Sequence, residues 1–149
     1  MNDRYLYRAK RTDNGEWVIG SLVWSDDADK EYKSIIIPVV NSNMFTQDNG
    51  NEDLGFENWH KVDSSTICQC TGHKDKNGKL IWENDILLGY LDDSYPEDAT
   101  YAEVLWWRSG FYTREIGCND VHEIDSFTEQ NYEVIGNKFD NPEILEVGE

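Results

Sequence analysis

The sequence predicts a mainly β protein of the α+β class. Apolar and polar residues alternate with a period of two in several short segments, and turn signals such as Asn14-Gly15 and Asn77-Gly78 separate these segments. Aromatic residues make up 13% of the 149 residues, which is enough to supply a core despite the high charge. No apolar run approaches the length of a membrane span, and residues 1–10 lack the apolar stretch of a secretion signal. We therefore expect a soluble cytoplasmic domain with no membrane contact.

The first predicted element is a β-hairpin over residues 4–24. An alternating segment precedes the turn Asp13-Asn14-Gly15, and residues 17–24 form the return strand. Asn-Gly favours this assignment because both residues tolerate the positive φ angles of a tight turn. The β-branched segment 35–40 predicts a third strand, in which Pro38 is typical of an edge or a bulge.

Residues 41–58 change in composition and predict an irregular stretch. Asn, Asp, Gln, Glu and Gly dominate, and the apolar residues stand apart from one another. Such a length is unusual for a loop in a compact domain, so the stretch is either a packed excursion or a mobile loop. It also marks the best internal boundary of the chain.

The second half predicts further short strands, separated by the turn at 74–79 and an acidic loop at 92–98. The predicted strands cover residues 59–62, 66–71, 80–82, 86–91, 103–108 and 132–136. Residues 120–127 predict a short helix or turn. Asn141 followed by Pro142 is typical of a helix start, which predicts one helical turn over 142–147.

Three stretches of the sequence resemble one known family. The middle stretch is the most specific and runs from Val62-Asp63 through Thr71-Gly72 and the turn at 74–79 to Asp85-Ile86. The first stretch lies within residues 7–20, and the third combines 134–137 with 141–145. In order and spacing they resemble the YopX-like proteins of bacteriophages and prophages over nearly the whole chain. We predict structural roles for nine residues of this pattern: Gly72, Asp75, Asn77, Gly78, Asp85, Gly136, Asn137, Asn141 and Pro142.

The resemblance implies a β-rich protein with SH3-like barrel character, coded by a phage or prophage and without an established enzymatic activity. The predicted architecture is a single domain over residues 1–149. It has an N-terminal β-hairpin layer in residues 1–58 and an SH3-like β-barrel with one or two short helices in residues 59–149. The chain has Cys68, Cys70, His73 and Asn84 where the family usually has Gly, an aromatic residue, Leu and Gly.

Cys68, Cys70 and His73 are the most prominent potential metal ligands, with Cys118 as a fourth. Tetrahedral zinc uses four such ligands, but paired thiols in zinc sites are usually separated by two or more residues and here by one. We predict small buried side chains and a turn histidine, and no metal site, although metal binding by these four residues stays open. An odd cysteine count with no sign of an oxidising compartment favours reduced thiols.

No catalytic residue and no cofactor is predicted. The segment 72–80 has five residues between its glycines and Leu80 at the magnesium position, so it is not a phosphate loop. The acidic segment 26–31 lacks the glycine and glutamate positions of an EF-hand, and no Gly-x-Ser-x-Gly nucleophile motif occurs. Asp85 precedes an apolar strand, where a short carboxylate can accept backbone N–H bonds.

The net charge is −17, from 13 basic and 30 acidic residues, and it disfavours general nucleic-acid binding. We therefore predict a non-enzymatic protein-interaction module in the bacterial cytoplasm, with an unknown protein partner or a homo-oligomer. Its predicted contact residues are exposed aromatic side chains: Trp106, Trp107, Phe111 and Tyr112. If Trp106 and Trp107 share a strand, they point to opposite faces.

Two alternatives stay open. The first is an acidic DNA mimic that inhibits a DNA-binding host protein, since the charge resembles that of phosphates. The second is weak nucleic-acid binding through the basic N-terminal strand, which carries Arg4, Arg8, Lys10 and Arg11.

Overall fold

The structure, a computed structural model, describes residues 2–26, 33–47, 53–90 and 99–146. It is mainly β, as predicted, with thirteen strands and one α-helix in these ranges. The chain divides into two compact units, Met1–Gln69 and Cys70–Glu149. The boundary predicted after residue 58 lies inside the first unit, and the subdomain assignment stays a prediction. None of the helices within the described ranges has the length and apolar character needed to cross a membrane.

The first unit is built around an antiparallel sheet with the order β6-β3-β2-β1, which then meets the first residues of β7. Its strands are β1 (Tyr7–Lys10), β2 (Trp17–Trp24), β3 (Ser34–Pro38), β4 (Met44–Gln47), β5 (Asp53–Phe56) and β6 (His60–Lys61), and β7 (Cys68–Lys74) starts here. The predicted N-terminal hairpin is confirmed, since β1 pairs with β2 in a register that places Ala9 opposite Val18. Gly15 has a φ of 72° in the connecting turn. Short 3-10 helices occupy Asp3–Tyr5 and Ser64–Thr66.

Two backbone hydrogen bonds curl this sheet. The Thr12 N–H donates to the Lys61 carbonyl at 3.1 Å, and the Asp63 N–H donates to the Lys10 carbonyl at 2.8 Å. The segment after β1 is thereby joined to the segment around β6, which also pairs with β3. A core of Ala9, Ile36 and Val62 fills the inside of the curl.

The prediction of an irregular stretch over 41–58 is wrong for residues 44–47 and 53–56, whereas the described residues 41–43 and 57–58 are irregular. Met44–Gln47 and Asp53–Phe56 pair as the antiparallel hairpin β4–β5. This pairing supplies hydrogen-bond partners for the backbone of both segments. A strand of four residues is too short for its alternation of apolar and polar side chains to be recognised in the sequence. Likewise, the strand predicted over 35–40 ends at Pro38, because Val39 and Val40 bend away and are exposed.

The second unit contains a five-stranded antiparallel sheet with the order β12-β11-β10-β9-β13. Its elements after β7 are β8 (Leu80–Trp82), β9 (Asp85–Tyr90), β10 (Ala99–Trp107), β11 (Gly110–Glu115), β12 (Val121–Glu123), α1 (Ser126–Asn131) and β13 (Tyr132–Asn137), followed by a 3-10 helix over Pro142–Glu146. Ile81, Leu87, Val104 and Ile124 form its buried core. Strand β8 pairs with the end of β7 around the predicted turn at 74–79.

Several predictions for this unit need correction. The SH3-like barrel is not confirmed, because over the described residues the five-stranded order has two ends and the sheets are open. Residues 120–127, predicted as a short helix or turn, contain strand β12 and the start of α1. The strand predicted over 66–71 begins only at Cys68, because Thr66 belongs to a 3-10 helix. Strand β11 was not predicted, because residues 110–115 show no alternation of apolar and polar side chains. The acidic loop at 92–98 and residue 147 lie outside the described residues.

Gly20→Ala should destabilise the first unit. A Cβ at Gly20 would lie 1.9 Å from the Ile37 carbonyl oxygen, so backbone would have to move. We expect a loss of about 2 kcal/mol or more in the free energy of unfolding, as for overpacked interiors. Urea denaturation checks this, with Gly110→Ala as the matched control, since a Cβ there meets only Tyr112 at 3.5 Å. Equal midpoints for the two variants would contradict the close approach.

Candidate functional site

The predicted contact residues lie together on the hairpin formed by β10 and β11. In its register Trp106 is opposite Phe111 and Leu105 is opposite Tyr112, and the strands are joined by a tight turn through Arg108 and Ser109. Arg108 has a φ of 56°, a left-handed conformation that closes the turn. We call residues 104–113 the aromatic hairpin.

Two edge-to-face ring pairs occupy opposite faces of the aromatic hairpin. The Trp106 and Phe111 ring centroids are 5.0 Å apart with an interplanar angle of 78°, and those of Trp107 and Tyr112 are 5.3 Å apart at 83°. Such pairs contribute about 0.5–1.5 kcal/mol beyond the area that they bury. Trp106 and Trp107 therefore point to opposite faces, as predicted, and each is held by a neighbour on the facing strand.

The two indoles remain open to solvent. Trp106 is 51% exposed and Trp107 is 37% exposed, whereas Phe111 packs against the core of the second unit. The Arg108 guanidinium carbon lies 4.4 Å from the centroid of the Trp107 ring, within the range of a cation–π interaction. Arg108 was not predicted from the sequence as part of the site. Its position after Trp106-Trp107 and before Ser109-Gly110 was a usable signal.

The base of the aromatic hairpin is joined by an ion pair across the strands. Arg114 donates from Nε to Glu103 Oε1 at 3.0 Å, and its Nη2 contacts the same oxygen. The two residues are opposite each other in the register, and both side chains are partly shielded from water. The pair thus joins β10 to β11 at the base of the hairpin, and a second acidic residue, Glu123 of β12, lies opposite Tyr112.

The predicted structural residues hold the turn at 74–79 and its surroundings. The buried Asp75 carboxylate accepts the backbone N–H groups of Asn77, Lys79 and Val134, each at 2.9 Å. Gly78 has a φ of 80°, which a side chain rarely adopts. This carboxylate joins the β7–β8 turn to β13.

Gly72 and Asp85 shape the two ends of the β7–β8 hairpin. Gly72 has a φ of 84° at the irregularity in the pairing of these strands, and the buried Asp85 accepts the Trp82 N–H at 2.7 Å. Asn84 has a φ of 70°. Asn tolerates that conformation better than most other residues, so it suits the turn between β8 and β9.

The last predicted group forms a compact turn after β13. The Asn137 side-chain oxygen accepts the N–H groups of Phe139 and Asp140, both at 3.0 Å. Asn141 Oδ1 accepts the Asn137 N–H at 3.3 Å. A Cβ at Gly136 would come within 2.3 Å of the same oxygen, so this position leaves no room for a side chain. Pro142 follows at the first position of the 3-10 helix.

The potential metal ligands have different surroundings. Cys68 and Cys70 are completely buried, and Cys118 is exposed. His73 Nδ1 lies 3.0 Å from Glu129 Oε1. Within the described ranges, no group of three or more His, Cys, Asp or Glu side chains is arranged to hold a metal ion.

Two pKa shifts occur around α1. Burial raises the pKa of the Tyr132 hydroxyl, and Glu115 adds to the effect. The backbone N–H of Thr128 lowers the pKa of Asp125, whose side chain caps the helix. Both shifts follow from packing and capping, so they fit structural roles for these two groups.

Asp75→Ala should unfold part of the second unit. The substitution leaves three N–H groups without their acceptor, so we expect a loss of about 3 kcal/mol or more in the free energy of unfolding. Asp75→Asn keeps one acceptor oxygen and should lie in between, and the exposed Asp120→Ala should change little. Urea denaturation gives these differences, and hydrogen exchange at the Lys79 and Val134 amides localises them. Unchanged exchange at both amides would contradict the role assigned to this carboxylate.

Comparison with known proteins places the chain in a family. No curated protein matches it. Among solved structures, it is similar to protein EF1440 from Enterococcus faecalis, with 24% identity, a TM-score of 0.59 and coverage of 93% of this chain and 96% of that chain, a likeness that shows a shared fold. The model of the YopX protein family matches residues 6–146, nearly the whole chain. The resemblance noted in the sequence is thus confirmed, and the chain belongs to the YopX family.

Proposed function

We propose that this chain is a phage- or prophage-derived protein-interaction module without enzymatic activity, which works in the bacterial cytoplasm and contacts its partner through the aromatic hairpin. The observation that carries the proposal is the exposure of Trp106 and Trp107 on a hairpin that is otherwise tightly held. Membership of the YopX family supports the phage or prophage origin.

The composition of the aromatic hairpin suits a protein contact. Trp, Tyr and Arg are the residues that most often dominate the binding energy of interfaces. At about 25 cal/mol per Å² of apolar area, burying a substantial part of an indole contributes a few kcal/mol before the costs of association. The ring pairs already restrict the side-chain rotamers, so less conformational entropy is lost on binding.

The polar residues with predicted structural roles support the non-enzymatic part of the proposal. Asp75 and Asn137 direct their oxygens at backbone N–H groups, and Asp85 does so as well. Side chains in such bonds maintain turns. We therefore assign these residues to the scaffold that presents the hairpin.

The nucleic-acid alternative has less support, because the N-terminal cations have partners within the chain. Arg8 and Lys10 lie over the Trp17 ring, at 4.7 and 5.4 Å from its centroid. Arg11 forms an ion pair with Asp13 at 2.6 Å and lowers the pKa of that carboxyl group. Phosphate contacts would have to compete with these interactions.

Removing both indoles should strongly weaken partner capture. The variant carrying Trp106→Ala and Trp107→Ala should recover the specific partner of the wild-type chain at least about tenfold less well, since buried tryptophans dominate interfaces. Quantitative mass spectrometry after affinity capture from host lysate measures the difference. Phe127→Ala is the matched control, because Phe127 is 45% exposed and also forms an edge-to-face pair, with Tyr132. Equal recovery by all three proteins, or turnover of a small molecule by the wild type, would overturn the proposal.

The net charge of −17 favours one second candidate, an acidic mimic of DNA. In that case the chain should inhibit a restriction or repair enzyme at low salt and lose the effect as salt screens the charges. Neutralising the exposed Glu115, Asp120 and Glu123 should weaken inhibition, whereas removal of the hairpin indoles should not. Inhibition that is insensitive to salt would exclude the mimic.

A further inference from the structure

The five-stranded sheet of the second unit has two edges, and one of them is covered. At the edge formed by β13, the Val134 N–H donates to the Asp75 carboxylate at 2.9 Å, and the Tyr132 carbonyl accepts the Lys76 N–H at 2.9 Å. The turn at 74–79 therefore uses the backbone groups that β13 directs away from β9. The opposite edge of the sheet is β12.

Strand β12 bonds to β11 through its middle residue. The Ile116 N–H donates to the Tyr101 carbonyl of β10, so Thr113, three residues earlier, directs its backbone groups to the other side, towards β12. His122 lies opposite Thr113, and the Thr113 hydroxyl also donates to the His122 carbonyl at 3.4 Å. His122 is therefore the residue of β12 whose backbone bonds to β11.

The outer backbone groups of β12 are open. Neighbouring residues of a strand point their N–H and C=O groups to opposite edges, so those of Val121 and Glu123 point away from β11. Within the described ranges, no residue bonds to these outer groups, and the helix α1 packs against β13 and β9 at the far end of the sheet. An open edge of this kind can accept an extended peptide as a further strand.

The charge around this edge has one sign. Residues 115–137 contain six acidic residues and no lysine or arginine, and Glu115, Asp120 and Glu123 are exposed. The facing strand β11 has one cation, Arg114, which is paired with Glu103. Negative charge along the edge repels other copies of this chain, whose net charge is −17, and favours a strand that carries basic residues.

The side chains next to the edge suit a cation. Tyr112 lies opposite Glu123, and its ring packs against Trp107, so all three side chains share one face of the sheet. Neighbouring strands are about 4.8 Å apart, so a Lys or Arg on this face of an added strand can bond to Glu123 and extend towards the Tyr112 ring. The open edge and the aromatic hairpin thus form one continuous surface.

We propose that β12 is the docking edge for an extended basic segment of a partner protein. The segment adds as a further strand, bonds to the outer backbone groups of Val121 and Glu123, and places a Lys or Arg beside the Glu123 carboxylate. This inference rests on the proposed function of the aromatic hairpin and names the kind of segment that its partner offers. Main-chain bonds supply affinity in such contacts, and the alternate side chains supply specificity.

The experiment titrates the isotope-labelled full chain with a capped octapeptide of alternating Lys and Thr, up to ~1 mM because small interfaces are weak. Amide hydrogen exchange is followed by NMR. The Val121 and Glu123 amides should exchange at least about tenfold more slowly with the peptide bound, because they gain acceptors. The His122 amide is already bonded to β11 and should change less.

Two further peptides separate strand pairing from attraction by charge. The same peptide with N-methyl groups on its four central amides keeps its charge and loses its donors, so it should bind at least about tenfold more weakly. An octapeptide of alternating Glu and Thr should not slow the exchange of either amide. Equal binding by the N-methylated peptide or by the acidic peptide would overturn the inference.

One pair of variants tests the charge contact. Glu123→Gln should weaken binding of the Lys-Thr peptide about threefold, because it removes one exposed charge pair. Glu133→Gln is the matched control, since it makes the same change on β13 at the opposite edge of the sheet. Equal weakening by both variants would contradict the placement of the cation beside Glu123.

Unchanged exchange at both outer amides with every peptide would overturn the inference and leave the proposed function standing. That function is judged by whether capture of another protein depends on Trp106 and Trp107. The variant without both indoles keeps β12, so it should still bind the Lys-Thr peptide while it loses its partner. If the indoles contribute nothing to capture, the proposed function fails, and peptide binding at β12 decides the inference separately.

Discussion

The order of the second unit depends on one buried carboxylate. Asp75 accepts three backbone N–H groups, two from its own turn and one from β13, and its neighbour Lys76 donates a further N–H to the Tyr132 carbonyl at 2.9 Å. Strand β13 pairs with β9, and β9 pairs with β10, which carries the aromatic hairpin. A single carboxylate thus holds the edge strand β13 in place. The same sheet presents the two indoles on β10. Alanine at this position would leave three donors without a partner, which is why a short acidic side chain is required.

Local chemistry predicted much of this fold, whereas long-range pairing did not. The N-terminal hairpin could be read from Asn14-Gly15, because a two-residue signal restricts the backbone whatever surrounds it. The hairpin β4–β5 could not, since each of its strands has four residues and is defined by its pairing with the other and by the Phe45 ring over Gly55. The SH3-like barrel came from the family resemblance alone, and the closure of a barrel is a property of sheet edges that no local pattern encodes.

The tryptophans show the same limit for the site. Trp82 is 4% exposed and Trp106 is 51% exposed, although both lie in strands with apolar neighbours. Register makes the difference: Trp82 faces Cys70 inside its unit, whereas Trp106 lies one pair from the end of its hairpin. Among the described residues, β9 and β12 pair with the hairpin strands only farther from the turn. The sequence could predict that Trp106 and Trp107 point to opposite faces, because adjacent strand residues must do so. It could not find the cavity of about 490 Å³ in the first unit, because the apolar side chains that line it come from four strands and the segment before β6.

The charge of the chain and its exposed apolar surfaces are two parts of one physical balance. Indoles and an open apolar cavity at the surface favour association with any apolar surface, while a net charge of −17 repels other copies at long range. The repulsion is screened beyond about 8 Å at physiological salt, but a contact between complementary patches acts at van der Waals distance. A random encounter therefore gains little apolar contact against the full repulsion, whereas a partner that is complementary in shape and opposite in charge gains apolar contact and a favourable electrostatic energy together. High net charge thus selects among contacts, because it opposes every association whose apolar packing or local charge pairing does not offset the repulsion.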